Sequence, residues 1–105
     1  MNTLTIIVPC FNEADVLVDF ISTVNLQTHE LPLIKKYLLI NDGSTDDTLD
    51  IMKNLSETFD NIFYLSFSRN FGKEAAILAG LEASDSDFVT IMDADLQDPP
   101  FLLSE

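Results

Sequence analysis

Basic residues are scarce in this chain of 105 residues: five lysines and arginines stand against 18 aspartates and glutamates, so that the formal net charge is −13. This excess of negative charge excludes broad binding to nucleic acid or to anionic lipid surfaces. A phosphate-bearing ligand would need a divalent cation or a few well-placed basic side chains. The hydrophobic fraction of 47% nevertheless excludes a disordered acidic tail.

The chain has a single cysteine, Cys10, and no long run of apolar residues. One cysteine excludes an internal disulfide and a multi-cysteine zinc site. The apolar runs are too short for a transmembrane helix, and the N-terminus lacks the basic start and cleavage site of a signal peptide. We therefore expect a protein of the reducing cytoplasm.

Short apolar segments alternate with helical patterns along the chain. The alternation predicts an α/β fold, with a parallel, Rossmann-like sheet and helices on both faces. The four predicted strands run from Leu4 to Val8, from Tyr37 to Ile40, from Ile62 to Phe67 and from Phe88 to Met92.

Capping residues and small residues predict how the helices begin and pack. Asn12 is expected to cap the first helix, and Ser44 or Thr45 the second. The third helix is predicted from Lys73 to Ala83, and its alanines with Gly80 would let it lie close to the sheet.

The end of the chain interrupts this alternation. Pro99 and Pro100 are typical of the entrance to a helix, but Glu105 ends the chain within a turn of them. We therefore expect residues 1–105 to be the incomplete N-terminal part of a longer protein. The fourth strand should then have an unpaired edge, through which we expect self-association.

A polar cluster follows each predicted strand. In a parallel sheet these clusters lie along the carboxyl edge, where open α/β folds bind ligands. Turn chemistry and helix capping explain any one cluster about equally well, but four on one edge favour a binding site. The clusters comprise residues 9–13, 41–46, 68–73 and 93–98.

Asp93 and Asp95 form the local motif that points most clearly to a metal site. Side chains two apart at a strand end point to the same side, so both carboxylates can face one point. They would repel each other without a cation between them. Oxygen ligands select Mg²⁺ or Mn²⁺, and Gln97 could add another oxygen.

Three other side chains are candidates for ligand contacts. Arg69 and Lys73 lie in the third cluster and are suited to a diphosphate, although a surface salt bridge is an equal alternative for Lys73. Asp42 could accept hydrogen bonds from a base or a ribose, or else cap an Asx turn.

In this order, the clusters resemble those of the family 2 glycosyltransferases, which are inverting enzymes with an A-type nucleotide-sugar fold. The last two are most similar to the branch that moves a sugar onto polyprenyl phosphate. The resemblance covers nearly the whole chain. It is carried by Ile7-Val8-Pro9-Cys10-Phe11-Asn12-Glu13, Asn41-Asp42-Gly43-Ser44-Thr45-Asp46, Ser68-Arg69-Asn70-Phe71-Gly72-Lys73-Glu74-Ala75-Ala76 and Met92-Asp93-Ala94-Asp95-Leu96-Gln97-Asp98-Pro99-Pro100.

The resemblance implies that residues 1–105 form the nucleotide-binding half of an A-type domain and assigns roles by position. Pro9, Phe11 and Glu13 would line the nucleotide. The base would meet Ile40, through its backbone, and Asp42. The diphosphate and its metal would be held by Asp93, Ala94, Asp95 and Gln97, so that Asp93 and Asp95 act in catalysis through the metal.

The implied reaction transfers a hexose from a UDP- or GDP-sugar to polyprenyl phosphate or a saccharide in cell-envelope or glycan synthesis. It would take place at the cytoplasmic face of the membrane when the acceptor is a lipid. No residue here is assigned as a general base. Because the acceptor half is missing, we expect the isolated chain to bind nucleotide but to transfer sugar poorly.

Two other functions fit parts of this pattern. A non-catalytic nucleotide-sugar-binding or regulatory module would keep the contacts of Glu13 and Asp42 without productive metal geometry. A receiver-like phosphorylation domain also places acidic residues and Mg²⁺ at a sheet edge. Ser68 and Arg69 disfavour it, because they follow the third strand where its phosphoacceptor aspartate would stand.

Overall fold

Strands and helices alternate through residues 2–95, which are the residues that the computed structural model of the chain describes. This alternation confirms the predicted α/β fold. The strands are β1 (Asn2–Cys10), β2 (Leu33–Asn41), β3 (Ile62–Ser66) and β4 (Phe88–Ile91), and the helices are α1 (Leu17–Thr28), α2 (Thr48–Thr58) and α3 (Lys73–Ala83).

The strands form one parallel sheet in the order β3-β2-β1-β4. β1 pairs with β2 along its whole length and with β4 from Leu4 to Ile7. Because β1 has a neighbour on each side and is covered on both faces, it is buried from Leu4 to Cys10. The chain moves from β1 to β2 on one side and later returns to β4 on the other. This switch point is where open parallel sheets bind ligands.

The helices cover both faces of the sheet, as predicted. Ile6 of β1 belongs to a core that also contains Phe20 of α1 and Met52 of α2. The next residue, Ile7, points to the other face and packs in a second core with Ala76 of α3. Successive residues of β1 thus pack in two separate apolar cores, one on each face of the sheet.

The third helix lies close to β1 at Gly80, which is buried. A Cβ atom added to Gly80 would lie 2.6 Å from Cγ2 of Ile7. The predicted bounds of α3 and its expected close approach to the sheet are both confirmed.

The predicted helix caps at Asn12, Ser44 and Thr45 are wrong. Val16 stands at the N-cap position of α1 and Asp47 at that of α2, and neither makes a capping hydrogen bond with its side chain. The side chains of Asn12 and Ser44 instead make hydrogen bonds between two loops.

All three helices are short, at 11 or 12 residues. A helix that spans a bilayer needs about 20 apolar residues. Within residues 2–95, no helix is long and apolar enough to cross a membrane.

The outer edge of β4 has no strand partner within residues 2–95. Phe88, Val89 and Ile91 of this strand are exposed. Self-association through this edge stays a prediction, which the mass of the protein in solution tests.

Candidate functional site

The strands of the sheet end at one edge, and the residues that follow them form four loops. These are loop 1 (residues 11–16), loop 2 (42–47), loop 3 (67–72) and loop 4 (92–95). The pairing of β4 with β1 stops at Ile91 opposite Ile7. The N–H of Met92 then donates to the carbonyl of Ile7 at 3.0 Å, so that loop 4 continues beside the end of β1.

Residues from all four loops and the adjoining ends of β1 and α3 line one cavity of about 400 Å³. It brings together most of the side chains that the sequence singled out. Both acidic residues of loop 4 lie in the same cavity as the first two loops. The lining residues are Pro9, Cys10, Phe11, Glu13, Asp42, Asn70, Gly72, Lys73, Asp93 and Asp95.

Three other predicted site residues, Ile40, Arg69 and Ala94, are not among the described lining residues. Ile40 is fully buried in the core beneath α3. The Arg69 guanidinium stacks over the ring of Phe71, 4.6 Å from its centroid. Ala94 is buried, and Gln97 lies outside the described residues. Of the two basic residues predicted to contact a diphosphate, Lys73 therefore lies at the cavity and Arg69 lies on a neighbouring surface.

Asn12 ties loop 1 to loop 2. Its backbone is left-handed, with φ at 54°, a conformation that asparagine tolerates better than most residues. Its N–H donates to Ser44 Oγ at 2.9 Å, and its Oδ1 accepts the Thr45 N–H at 2.8 Å and the Asp46 N–H at 3.3 Å. These bonds explain why Asn12 does not cap α1.

Asp46 and Thr48 add a second set of bonds between the same loops. Thr48 Oγ1 accepts the Glu13 N–H at 2.9 Å, and Asp46 Oδ2 accepts the Ala14 N–H at 3.3 Å. Asp46 Oδ1 accepts the Thr48 N–H at 3.0 Å. Desolvation raises the pKa of Asp46, but the hydrogen bonds from Thr48, Ala14 and its own N–H together outweigh it and hold that pKa below its ordinary value.

Asp42 ties loop 2 to loop 3. Asp42 is only 4% exposed, and its carboxylate accepts the N–H of Phe71 at 2.7 Å and the N–H of Gly72 at 3.0 Å. Next to it, Gly43 has a φ of 70°, and an added Cβ would lie 2.2 Å from the carbonyl carbon of Arg69. The two loops are therefore packed backbone against backbone. Asp42 holds the start of α3 as well as lining the cavity.

Lys73, the first residue of α3, connects loop 3 to loop 4. Its Nζ lies 2.6 Å from Oδ1 of Asp93, and the Lys73 side chain is 58% exposed. Among the described lining residues Lys73 is the only basic one, whereas four are acidic: Glu13, Asp42, Asp93 and Asp95. The cavity thus carries net negative charge.

Burial and the neighbouring charges both act on the pKa of Glu13. Burial raises it above its ordinary value, and the carboxylates of Asp95, Asp93 and Asp46 raise it further. Ionising Glu13 therefore costs more free energy in the folded chain than in the unfolded chain. A cation between these groups would relieve the repulsion.

Glu13→Gln is accordingly expected to stabilise the metal-free chain at pH 7, raising Tm by up to about 4 °C. The native pKa lies above that of unfolded glutamate, so ionisation costs stability above the native pKa and costs none below the unfolded value. The gain should therefore shrink as the pH falls toward about 4.5. Thermal unfolding in EDTA at both pH values measures it. Glu57→Gln, on the exposed side of α2, is the control, and an equal gain there would contradict the account.

Asp93 and Asp95 fit a cation that takes most of its ligands from elsewhere. Within the described part of the chain, no group of three or more histidine, cysteine, aspartate or glutamate side chains is arranged to hold a metal. Mg²⁺ usually binds one or two carboxylates, with substrate phosphates and waters completing the shell. Two carboxylates beside a cavity of this size match that donor set, not a closed protein cage.

Cys10 lines the cavity but is not suited to nucleophilic chemistry. It is buried, and its thiol donates to the carbonyl of Val8 at 3.4 Å. Burial, with a smaller effect of Glu13, raises the pKa of the thiol far above its ordinary value. The reactive thiolate is therefore disfavoured.

Sequence reasoning missed several residues of the site. Asn70 and Gly72 line the cavity, although the prediction for their cluster relied on its charged members. In the sequence, a glycine directly before the predicted third helix could have indicated Gly72. In the structure its φ is 102°, a conformation that favours glycine. The hydrogen bonds of Asn12 and Asp42 join residues about 30 positions apart in the sequence, so no local sequence pattern predicts them.

Comparison with known proteins shows which family shares this arrangement. Residues 5–105 match the family model described as Glycosyl transferase family 2. A Bacillus subtilis (strain 168) protein named as a glycosyltransferase, CsbB, is 44% identical over 102 residues. The bactoprenol glucosyl transferase of Shigella phage SfV is 41% identical over 96 residues. These alignments cover 97% and 91% of this chain but only 31% of each relative.

A solved structure shares the fold. The mannosyltransferase PcManGT from Pyrobaculum calidifontis, solved in complex with GDP-Man and Mn²⁺, superposes with a TM-score of 0.75. The match covers 93% of this chain and 33% of that protein, at 22% identity. At this identity, the likeness extends to the fold alone.

Proposed function

The chain belongs to glycosyl transferase family 2, and on that basis we propose that the protein containing it transfers a hexose from a nucleoside-diphosphate sugar to an acceptor. The observation that carries the proposal is the convergence of four loops on one cavity. That cavity offers an aromatic ring, a lysine and two neighbouring carboxylates within reach of one ligand. Each of these suits a different part of a sugar nucleotide.

The nucleotide end of the donor would lie against loops 1 and 2. Phe11 lines the cavity and is 45% exposed, and its ring would stack on a base of either type. The carboxylate of Asp42 already accepts two backbone N–H groups and has lone pairs left for a base or ribose donor. These contacts suit a UDP- or a GDP-sugar alike.

The diphosphate end would lie between α3 and loop 4. Lys73 can pair with a diphosphate oxygen, and Asp93 and Asp95 would hold Mg²⁺ or Mn²⁺ beside it. When bound, this ion supplies positive charge against the negative charge that develops on the departing nucleoside diphosphate. The tied loops hold these groups in fixed positions before the donor arrives, which lowers the cost of reorganisation.

The proposed acceptor is polyprenyl phosphate, since one relative is named a bactoprenol glucosyl transferase. A phosphate oxygen would form a bond to the anomeric carbon while the bond from that carbon to the diphosphate breaks, and the electron pair leaves with the nucleotide. Because a phosphate is ionised at neutral pH, it needs no general base. A lipid acceptor would place the protein at the cytoplasmic face of a membrane.

Sugar transfer by the full-length protein tests the proposal. Radiolabelled UDP-glucose or GDP-mannose is incubated with polyprenyl phosphate and Mn²⁺, and label is counted in the organic phase. We expect transfer from one donor that EDTA abolishes. If label appears only on an added saccharide, the acceptor is a saccharide and not polyprenyl phosphate. Tight nucleotide binding without turnover on any acceptor would favour a non-catalytic binding module.

A further inference from the structure

We propose that Lys73 acts as a tethered cation that competes with the divalent ion for Asp93 and moves to the diphosphate when the nucleotide binds. This inference rests on the proposed function of the cavity. It goes beyond it by naming a side chain that opposes the metal when nucleotide is absent and so couples the two binding events.

The ion pair carries the inference. Lys73 Nζ lies 2.6 Å from Asp93 Oδ1, the distance of a charge-assisted hydrogen bond. An ammonium at that distance occupies one side of the carboxylate that the proposed metal would use. A divalent ion bound to the same group would stand next to the ammonium, and the two positive charges would repel each other.

The position of α3 keeps Lys73 near this carboxylate. Phe71 and Gly72, which lead into the helix, donate both their N–H groups to the buried Asp42. The backbone of Lys73 is therefore held in place, while its side chain is 58% exposed. A long, flexible stem on a fixed backbone lets the ammonium exchange one partner for another within the cavity.

A nucleoside diphosphate changes the balance between these groups. Its oxygens offer Lys73 a second anionic partner, and they also offer ligands to the metal. With nucleotide present, the ammonium no longer opposes the metal. The metal alone should therefore bind weakly, and each ligand should strengthen the binding of the other by the same factor.

Removing the ammonium separates these effects. Lys73→Met should tighten the binding of Mn²⁺ alone by roughly two- to fivefold, because a partly exposed ion pair is worth about 0.5–1 kcal/mol. The same change should weaken the binding of UDP or GDP and reduce the factor by which nucleotide tightens Mn²⁺ binding. Lys73→Arg keeps the charge and should leave Mn²⁺ binding weak. Free Mn²⁺ is measured by electron paramagnetic resonance, with and without nucleotide.

Lys36→Met is the matched control. Lys36 also pairs with an aspartate, Asp85, at 3.5 Å, but it lies on β2 away from the cavity lining. Mn²⁺ binding that is unchanged or weaker in Lys73→Met, or equally tighter in Lys36→Met, would overturn the inference and leave the proposed function standing. If neither the wild type nor any variant binds Mn²⁺ even with nucleotide, the metal-dependent function fails as well.

Discussion

Asp95→Asn is expected to lower sugar transfer by the full-length protein by at least about 100-fold. The substitution keeps the shape of the side chain but removes one of the two carboxylates proposed to hold the metal. Loss of charge stabilisation at a single group of this kind typically costs two to three orders of magnitude in rate. The effect should appear in kcat and in the affinity for Mn²⁺.

The substitution also relieves repulsion in the folded chain, because Asp95 is one of the carboxylates that raise the pKa of Glu13. A variant that is as stable as the wild type, or more so, and almost inactive would show that loop 4 is shaped for a ligand. Asp60→Asn, in the exposed turn before β3, is the matched control. Activity of Asp95→Asn within about threefold of the wild type would contradict the proposed role.

Gly43→Ala is expected to have the largest effect on stability. The new Cβ would lie 2.2 Å from the carbonyl carbon of Arg69 and 2.3 Å from the N of Asn70. Both atoms belong to the backbone, so no rotamer change relieves the contact, and loops 2 and 3 must separate. The φ of 70° adds a strain of about 1 kcal/mol for a residue with a Cβ.

Together these effects should cost about 2–4 kcal/mol, which lowers Tm by roughly 10–25 °C in a domain of this size. Thermal and urea unfolding measure the change. Gly72→Ala is the comparison without a contact, because nothing lies within 4 Å of its added Cβ. Its φ of 102° and ψ of 158° lie in a region that is nearly restricted to glycine and costs an alanine about 1–3 kcal/mol. A loss of about 1 kcal/mol or less in Gly43→Ala would show that the contact between loops 2 and 3 does not decide its stability.

The fold could be predicted because its signals are local. Buried parallel strands are continuous apolar runs, and the small face of α3 is visible in Ala76 and Gly80. Strand ends were less well predicted. β2 begins at Leu33, four positions before the predicted Tyr37, because its first residues are only partly buried and include Lys35 and Lys36. A half-exposed strand end lacks the apolar signal on which the prediction relied.

The candidate site was predictable in outline and not in its internal connections. Position after a strand was enough to suggest that Asp42, Asp93 and Asp95 share an edge of the sheet. It could not separate Lys73, which lies at the cavity, from Arg69, which stacks on Phe71. That difference depends on the direction in which loop 3 enters α3, which is set by contacts with a distant loop.

Asn12 illustrates the same limit in a single side chain. Asparagine before an apolar helical stripe is a common N-cap, and the local pattern predicted that role. Its partners Ser44, Thr45 and Asp46 lie more than 30 residues away, and they become available only once β1 and β2 pair. The tertiary arrangement therefore overrides the local preference.

Anomalous diffraction from crystals of the full-length protein grown with Mn²⁺ and UDP or GDP tests the central claim most directly. The account predicts one Mn²⁺ peak about 2 Å from a carboxylate oxygen of Asp93 or Asp95, bridged to the diphosphate of a nucleotide in the cavity. A nucleotide bound elsewhere, or one bound in the cavity with no peak at these carboxylates, would contradict it.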